Sequence, residues 1–379
     1  MTDNIEILEG AAAETAVAGD FNTFGTPAKP RTPIKPELIQ EASKLLTKAF
    51  QGNRRARQEV REAFSTSDFT MAAFAIIDRE VQAKLQEMEP NWKLYTSVTT
   101  VNNFLPKSIQ DMTRPRIGLT KVPELTEYPA VDRSGYAEYQ ITVAKYGARF
   151  AASFEAWIND TAIDEIDNWP EVFAQAAFET EAIIAIQNLC NATGVNTDFF
   201  KLANGNAPDN APLTLANLDA AIQEIQSRKS PEGYPVYTPS LRLVIPPALS
   251  TTADRILSAK EIRTTVGTTE IISDNYLAGS VTKVVEPWLE VVNQGAKAAT
   301  TWYLLPDPAT ARKSLWLARL RGHETPDIRY KADQGTRVGG GAIPFEEGSF
   351  ECDDLQVRVR HIVGGATGDP LPTYVSEGS

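Results

Sequence analysis

Cysteine and histidine are scarce in this chain, with two residues of each type among 379. Cys190 and Cys352 lie far apart and neither belongs to a CxxC pair, so the chain lacks a disulfide framework and fits a reducing compartment. His323 and His361 stand almost forty residues apart, which excludes an HExxH zinc helix. Cys190, in an apolar stretch, is expected to be an inert core thiol.

The common catalytic motifs are also missing. The sequence holds no GxSxG elbow, no GxxxxGK[ST] loop and no strand-linked GxGxxG. Gly339–Gly341 has no following Lys-Ser/Thr and indicates a flexible turn. His323 beside Glu324 could form an acid–base pair, but a structural role is favoured. We therefore predict that the protein is not an enzyme and has no catalytic residues, no metal site and no cofactor.

Positive charge and long apolar runs are in short supply as well. The net charge is -12 and the isoelectric point is near 4.9. Tight binding to a nucleic-acid backbone needs many Lys and Arg residues, so contact with DNA is expected to be weak or merely enclosing. No apolar run approaches the ~20 residues of a membrane span, and the N-terminus is unlike a signal peptide. The sequence predicts a soluble chain that is not exported and has no membrane partner.

The most informative stretch that is present runs from Asn168 to Asn191 and predicts a long helix, which we call the spine helix. Pro170 suits a first helical turn, Asp167 or Asn168 can cap it, and Gly194 is a plausible stop. Apolar residues occupy several sides of this helix, which predicts that it is covered from several directions. The expected core residues are Phe173, Ala177, Ile183, Ile184 and Ile186. The acids of INDTAIDEID just before it lack the spacing of a calcium loop and suit helix N-termini.

The segments before the spine predict an arm and three helices. Residues 1–36 are polar and rich in proline, typical of an extended arm held by a neighbour or of a disordered tail. Apolar residues then recur at helical spacing up to Gly52. The next helix carries several arginines and an expected Arg55–Glu59 pair, which favours a solvated face over a nucleic-acid contact. The third begins after Ser67 or Asp68, buries Phe74, Ile77, Val81 and Leu85, and ends at Glu89-Pro90.

Two extended runs flank a polar, proline-rich segment. The first is Leu94 to Val101, and the second is Tyr136 to Trp157, which alternates polar and apolar residues. Between them, residues 113–134 hold few large apolar groups. This order predicts a long hairpin loop, which in a monomeric domain usually serves binding or is disordered.

The region after the spine predicts two further units. Residues 213–305 combine a helix with short buried strands, which favours a mixed sheet in an α/β unit. Ser314–Leu320 and Ser349–Gly364 have strong strand character. We predict that these two strands pair with each other and lie against the spine helix.

Several stretches, in order, resemble one known family. They are YGARFAASFEAWINDTAIDEIDNWP before and into the spine, RLVIPPALSTTADRIL, WYLLPDP, GHETPDIRY and FECDDLQVRVRHIVGGATGDP. The chain resembles the major capsid proteins of tailed bacteriophages, particularly the Mu-like major head subunit type. Each motif is moderately specific, and together they span roughly Ser67 to Asp369.

This resemblance implies the Hong Kong 97 capsid fold, of α+β class. The implied segments are an N-terminal arm and its helices at 1–66, the start of a peripheral domain at 67–104, an extended hairpin loop at 105–150, the rest of the peripheral domain at 151–212 with the spine helix at 168–193, an axial α/β domain at 213–310, and the closing peripheral strands with a C-terminal tail at 311–379.

The resemblance also implies a function and partners. Copies of the chain would form pentamers and hexamers that close into an icosahedral shell around double-stranded phage DNA, without sequence-specific binding. The protein would be assembled in the bacterial host cytoplasm and reside in the virion capsid, with portal, scaffold or decoration proteins as candidate partners. The hairpin tip is expected to contact a neighbouring subunit through Lys121, Glu124, Glu127, Asp132 and Arg133.

Three alternatives compete with the phage shell, and the implied fold also raises the question of one covalent modification. An encapsulin-type nanocompartment shell, enclosing a protein cargo, shares the implied fold. A hydrolase of head maturation lacks a nucleophile–base–acid set, and a monomeric binding module would not assemble. Some proteins of this fold form a Lys–Asn cross-link, for which Lys107 or Lys121 could be the donor. The loop Gly322–Gly348 contains no Asn, so we expect no cross-link.

Overall fold

The structure is a computed structural model of the 379-residue chain. It describes residues 36–51, 53–64, 76–77, 79–85, 89–111, 121–128, 137–153, 161–230, 233, 235–236, 238, 240–266, 269–331 and 354–378. The predicted arm, the N-terminal cap of the third helix, Gly339–Gly341 and Cys352 lie outside these residues.

The described residues form helices and strands in the α+β order that the sequence predicts. The helices are α1 Pro36–Phe50, α2 Arg54–Phe64, α3 Thr161–Gln187, α4 Leu215–Ser227, α5 Ser250–Ser258 and α6 Trp288–Val292, with 3-10 turns at Asn91–Leu94, Leu202–Asn204 and Pro247–Leu249. The strands are β1 Ser97–Val101, β2 Lys107–Asp111, β3 Ala137–Ile141, β4 Ala144–Ser153, β5 Cys190–Asn191, β6 Gly194–Val195, β7 Leu241–Ile245, β8 Glu261–Val266, β9 Thr269–Asp274, β10 Val281–Val285, β11 Trp302–Pro306, β12 Leu315–Leu320, β13 Asp327–Lys331, β14 Asp354–Thr367 and β15 Tyr374–Ser376.

The first helices follow the predicted pattern. In α1, Ala42, Leu46 and Ala49 recur at helical spacing and are buried. In α2, Arg55 Nε lies 3.1 Å from Glu59 Oε1, on an exposed face. The predicted solvated face of this helix is thus confirmed. Residues 79–85 are helical, as predicted for the third helix.

A five-stranded sheet forms the larger unit. Its order is β1-β12-β14-β13, and β4 pairs with β14 on the other edge. Strand β12 pairs antiparallel with β14, with Leu315 opposite Thr367, and β14 pairs antiparallel with β4 over ten residues. The predicted pairing of the two closing strands is therefore confirmed, and both contact α3 as expected.

The β-hairpin contains less of the chain than the two extended runs that were predicted to form its arms. Strands β2 and β3 pair antiparallel, with Lys107 opposite Ile141. The first extended run does not join them, since β1 pairs in parallel with β12. The second run contributes β3 to the hairpin, and β4 then joins the large sheet, although residues 144–150 of β4 fall within the predicted loop limits of 105–150. The alternation of polar and apolar residues over 137–143 lies mostly in β3, whereas the later part of the run pairs with β14 and is not a hairpin arm.

The spine helix begins and ends earlier than predicted. It runs through Pro170, which lies in the interior and is buried, and not in a first turn. A proline costs one backbone hydrogen bond inside a helix, but the helix continues through it here. The prediction that Asp167 or Asn168 caps this helix is therefore wrong. At the other end the chain turns after Gln187, and β5 pairs with β6, so Cys190 and Gly194 belong to a short hairpin.

A four-stranded mixed sheet forms the second unit, as predicted for 213–305. Its order is β10-β7-β11-β15, with β10 and β7 parallel and the other pairs antiparallel. Helix α4 begins at a Thr214 cap that accepts a hydrogen bond from the Asn217 amide. Strand β15 comes from the C-terminal tail, for which the sequence predicted no place in this sheet. The hairpin of β8 and β9 was not foreseen.

The core explains why the spine helix has no single apolar face. Its first half packs with the arm helices and β14, in a cluster that includes Leu46, Val60, Phe173 and Val357. Its second half packs with both sheets, in a cluster that includes Ile186 and Tyr303. The prediction of cover from several directions, with the closing strands on one side, is confirmed, and the arm helices cover a further side.

Candidate assembly site

Aromatic packing holds the first half of the spine helix. Phe173 is fully buried, and its ring centroid lies 4.8 Å from that of Phe150 on β4 and 6.2 Å from that of Trp169. Edge and offset contacts of this kind add to the gain from burying aromatic surface. Of the predicted core residues, Phe173, Ala177, Ile184 and Ile186 are buried, whereas Ile183 is only partly buried.

Two adjacent glycines let the strand β14 approach the hairpin base and the spine at once. A Cβ atom at Gly364 would lie 1.8 Å from the carbonyl oxygen of Thr142, and one at Gly365 would lie 3.0 Å from that of Ile184. Only glycine allows backbones to come this close. The GG pair in the HIVGGATGDP motif thus joins three elements of the larger unit.

A buried charged network lies beneath the spine helix. Arg319 on β12 donates to Glu181 on α3 through two parallel hydrogen bonds, Nε to Oε1 and Nη2 to Oε2, each of 2.8 Å. His361 on β14 places its Nε2 atom 2.9 Å from the same Oε1 atom. Such a forked pair fixes geometry as well as charge. One carboxylate therefore connects the helix with two strands of the sheet.

Glu181 keeps its charge despite being buried. Burial raises the pKa of its carboxyl, but hydrogen bonds from His361 and Arg319 and their charges outweigh that effect and lower the pKa. Sequence reasoning missed this network. A signal existed, since the alternation of Val357 and Val359 continues to His361 and predicts an inward-facing side chain.

A second buried acid, Glu286, has the opposite character. It is 2% exposed, and the Tyr95 hydroxyl donates to its Oε2 atom at 3.3 Å. Burial raises the pKa of Glu286, and hydrogen bonds from the Trp288 backbone and Tyr95 offset only part of this. Burial therefore disfavours the charged form of this carboxyl more than these two hydrogen bonds support it.

We expect Glu286→Gln to stabilise the protein at neutral pH. Because the folded pKa of Glu286 is raised, its protonated form contributes stability below the ordinary pKa of about 4.3, and that stability is lost as the pH rises through the folded pKa. Urea unfolding should show a higher midpoint for the variant at pH 7 and no difference near pH 4. Equal midpoints at both pH values would contradict a raised pKa.

The hairpin tip presents exposed side chains. Of the five residues predicted to contact a neighbour, Lys121, Glu124 and Glu127 are exposed, and Asp132 and Arg133 lie outside the described residues. Between them Leu125 is fully exposed, with a φ of 64°. A leucine in such a place was not foreseen, although its position in a polar segment after Pro123 was a visible signal.

The residues considered for catalytic roles are His323 and Cys190. His323 is exposed and adjoins the turn after β12. Within the described part of the chain, no three His, Cys, Asp or Glu residues are grouped so that they could hold a metal ion. Burial raises the pKa of the Cys190 thiol to about 12, so it is a poor nucleophile. No helix among the described residues is long and apolar enough to cross a membrane.

Comparison with solved structures finds distant likenesses. The capsid of an empty GTA particle is 14% identical, with a TM-score of 0.44, over 76% of this chain and 90% of that chain. Gordonia phage Cozz is 13% identical, with a TM-score of 0.42, over 75% and 84%. The SrpI encapsulin complex from Synechococcus elongatus is 11% identical, with a TM-score of 0.40, over 77% and 88%. No curated protein matches the sequence.

The sequence itself matches a family model. The model describes a phage capsid protein and covers residues 137–376, more than half of the 379 residues. The matched region contains the spine helix, both of the larger sheets except β1, and the glycine pair. These elements, with the hairpin, agree with the Hong Kong 97 fold that the motifs imply. The chain therefore belongs to the phage capsid protein family.

Proposed function

We propose that copies of this chain form pentamers and hexamers that close into an icosahedral shell around double-stranded DNA. The observation that carries the proposal is the match of residues 137–376 to the phage capsid family. The subunit would be of the Mu-like major head type, and assembly would take place in the cytoplasm of the bacterial host. Its role is structural, and portal, scaffold or decoration proteins would be its further partners.

The fold suits a shell subunit that must keep its conformation when it contacts its neighbours. The spine helix is held by arm helices, by the closing strands and by the Glu181–Arg319 pair, so its position is set from several sides. The exposed hairpin tip is free to contact a neighbour. Modest contacts suffice in a shell, because many copies repeat each of them and the contacts act together.

The charge of the chain suits a container. With a net charge of -12, the subunit attracts phosphate groups weakly. A shell of this kind can enclose DNA without retaining it by strong backbone contacts. Packaging and release would then meet little resistance from the wall.

Electron microscopy of the expressed full chain tests the proposal. We expect closed shells, tubes or rings of five and six subunits, and a single small species in light scattering would contradict assembly. The content of nuclease-treated particles from infected cells separates the two kinds of shell. Protected double-stranded DNA is expected, whereas a protein cargo would favour a nanocompartment.

Duplex binding by isolated capsomers provides a second test. We expect weak affinity that changes little with salt, since few phosphates are neutralised. A strong affinity that falls steeply between low and high salt would contradict the passive container.

A further inference from the structure

The hairpin tip presents an exposed apolar side chain on a tight turn. The Thr126 amide and hydroxyl both donate to the carbonyl oxygen of Pro123, at 3.3 and 2.6 Å, and close a tight turn. Leu125 lies within this turn in the left-handed region, with a φ of 64° that L residues other than Asn and Asp rarely adopt. Its side chain and that of Tyr128 are 103% and 83% exposed. Among the described residues, Leu125 thus combines a strained backbone with a side chain that is exposed to water, and no burial of that side chain offsets the strain.

A cavity of about 320 Å³ lies beside the spine helix and could receive an apolar side chain such as that of Leu125. Its apolar walls include Leu85, Phe178 and Pro326, contributed by residues 79–85, by α3 and by the turn before β13. Arg319, Glu181 and His361 also line it, and they are held by their mutual hydrogen bonds. The cavity is therefore preformed, which lowers the cost of binding. Leu125 of the same chain does not occupy it, because that side chain is fully exposed.

Charges around the two surfaces are complementary. The tip carries two exposed acids, Glu124 and Glu127, and one exposed base, Lys121. Within the cavity Arg319 is paired with Glu181, so the exposed charges at its rim are Lys93 and Glu324, which can face Glu124 or Glu127 and Lys121, respectively. Arranged charges of this kind fix orientation and register between partners.

We propose that Leu125 at the hairpin tip of one subunit inserts into the cavity beside the spine helix of a neighbouring subunit. This inference rests on the proposed shell and names the receptor for the tip contact. The exposed leucine gains burial, and Glu124 or Glu127 pairs with Lys93 at the rim. The contact couples the hairpin of one copy to the buried network of the next.

Cysteine cross-linking in assembled particles tests the contact. Leu125→Cys and Thr325→Cys are combined in a Cys352→Ser chain, both being exposed positions. Cys190 stays in place, because its buried thiol has a raised pKa of about 12. A short bis-maleimide should give dimers and longer ladders on a denaturing gel. The control pairs Leu125→Cys with Leu202→Cys, a leucine that is 85% exposed and not part of the cavity lining, and should stay monomeric.

The outcomes separate the two levels of the proposal. Particles that assemble but give no Thr325 ladder, or that cross-link equally through Leu202, would overturn the docking and leave the shell intact. Wild-type chain that forms no particle would overturn the shell itself and the docking with it.

Charge reversal gives an independent readout that needs no cysteine. Glu124→Lys with Glu127→Lys should raise the protein concentration for half-maximal assembly about tenfold, equal to roughly 1.4 kcal/mol. Adding Lys93→Glu should recover most of that loss. Assembly unchanged by the first pair, or no recovery with the third substitution, would contradict the docking.

Discussion

Gly364→Ala is expected to destabilise the native fold strongly. The new Cβ atom would lie 1.8 Å from the Thr142 carbonyl oxygen, 2.8 Å from its carbon and 2.9 Å from the Val143 Cα atom. All three are backbone atoms, and β14 is fixed on both sides by β12 and β4. We expect a loss of at least ~3 kcal/mol in the free energy of unfolding, the upper end of overpacking costs. Urea unfolding followed by circular dichroism measures it.

Two other glycines calibrate this result. At Gly365 a Cβ atom would meet the Asn188 side-chain nitrogen at 2.7 Å, which can move, and the Ile184 backbone oxygen only at 3.0 Å, so Gly365→Ala should cost less than Gly364→Ala. At Gly279, with a φ of 78° and no atom within 4 Å, only backbone strain of roughly 1–2 kcal/mol applies. If Gly364→Ala unfolds at the same urea concentration as Gly279→Ala, the close approach of the two backbones is wrong.

Arg319→Met is expected to cause the second large loss of stability, because it leaves the buried carboxylate of Glu181 without its arginine partner. The Glu181 side chain is 9% exposed and the Arg319 side chain 25%. Removing one partner of a buried ion pair costs ~3–5 kcal/mol, and the partial exposure of Arg319 puts the expected loss near ~3 kcal/mol. The double variant Arg319→Met with Glu181→Gln should recover part of this loss, since no buried charge is left unpaired.

The pH dependence of Arg319→Met has a definite sign. In the wild type, the lowered pKa of Glu181 means that its stabilisation is present above the ordinary carboxyl pKa of about 4.3 and is lost as the pH falls through the folded value. The gap between variant and wild type should therefore narrow as the pH drops below that range. Arg55→Met, which breaks an exposed pair with Glu59, should change stability by only ~0.5 kcal/mol at any pH. A gap that widens in acid would contradict the network.

Local periodicity predicts the elements whose neighbours are simple. Alternation in Ser349–Gly364 and a compact apolar run in Ser314–Leu320 suffice to pair β14 with β12, because both strands need one buried face. The spacing of Leu218, Ile222 and Ile225 likewise predicts α4. In these segments local preference and tertiary packing favour the same structure.

Other features depend on contacts that no local pattern encodes. Pro170 is a favourable first-turn residue, yet packing continues α3 back to Thr161 in spite of the lost hydrogen bond. The Glu181 network joins residues 138 and 180 positions apart, and a lone acid in a helix gives no sign of its partners. The hairpin tip was predicted from composition, but its exposed Leu125 depends on turn geometry.

Strand β15 makes completion of the second sheet depend on a contact between residues far apart in the chain. Val375 and Ser376 are fully buried, and β15 pairs with β11 some seventy residues earlier in the chain. Pairings of such long sequence separation form slowly, because a long loop must close before they are made. Until β15 is in place, β11 is an edge strand with unpaired backbone groups, which can pair with another chain.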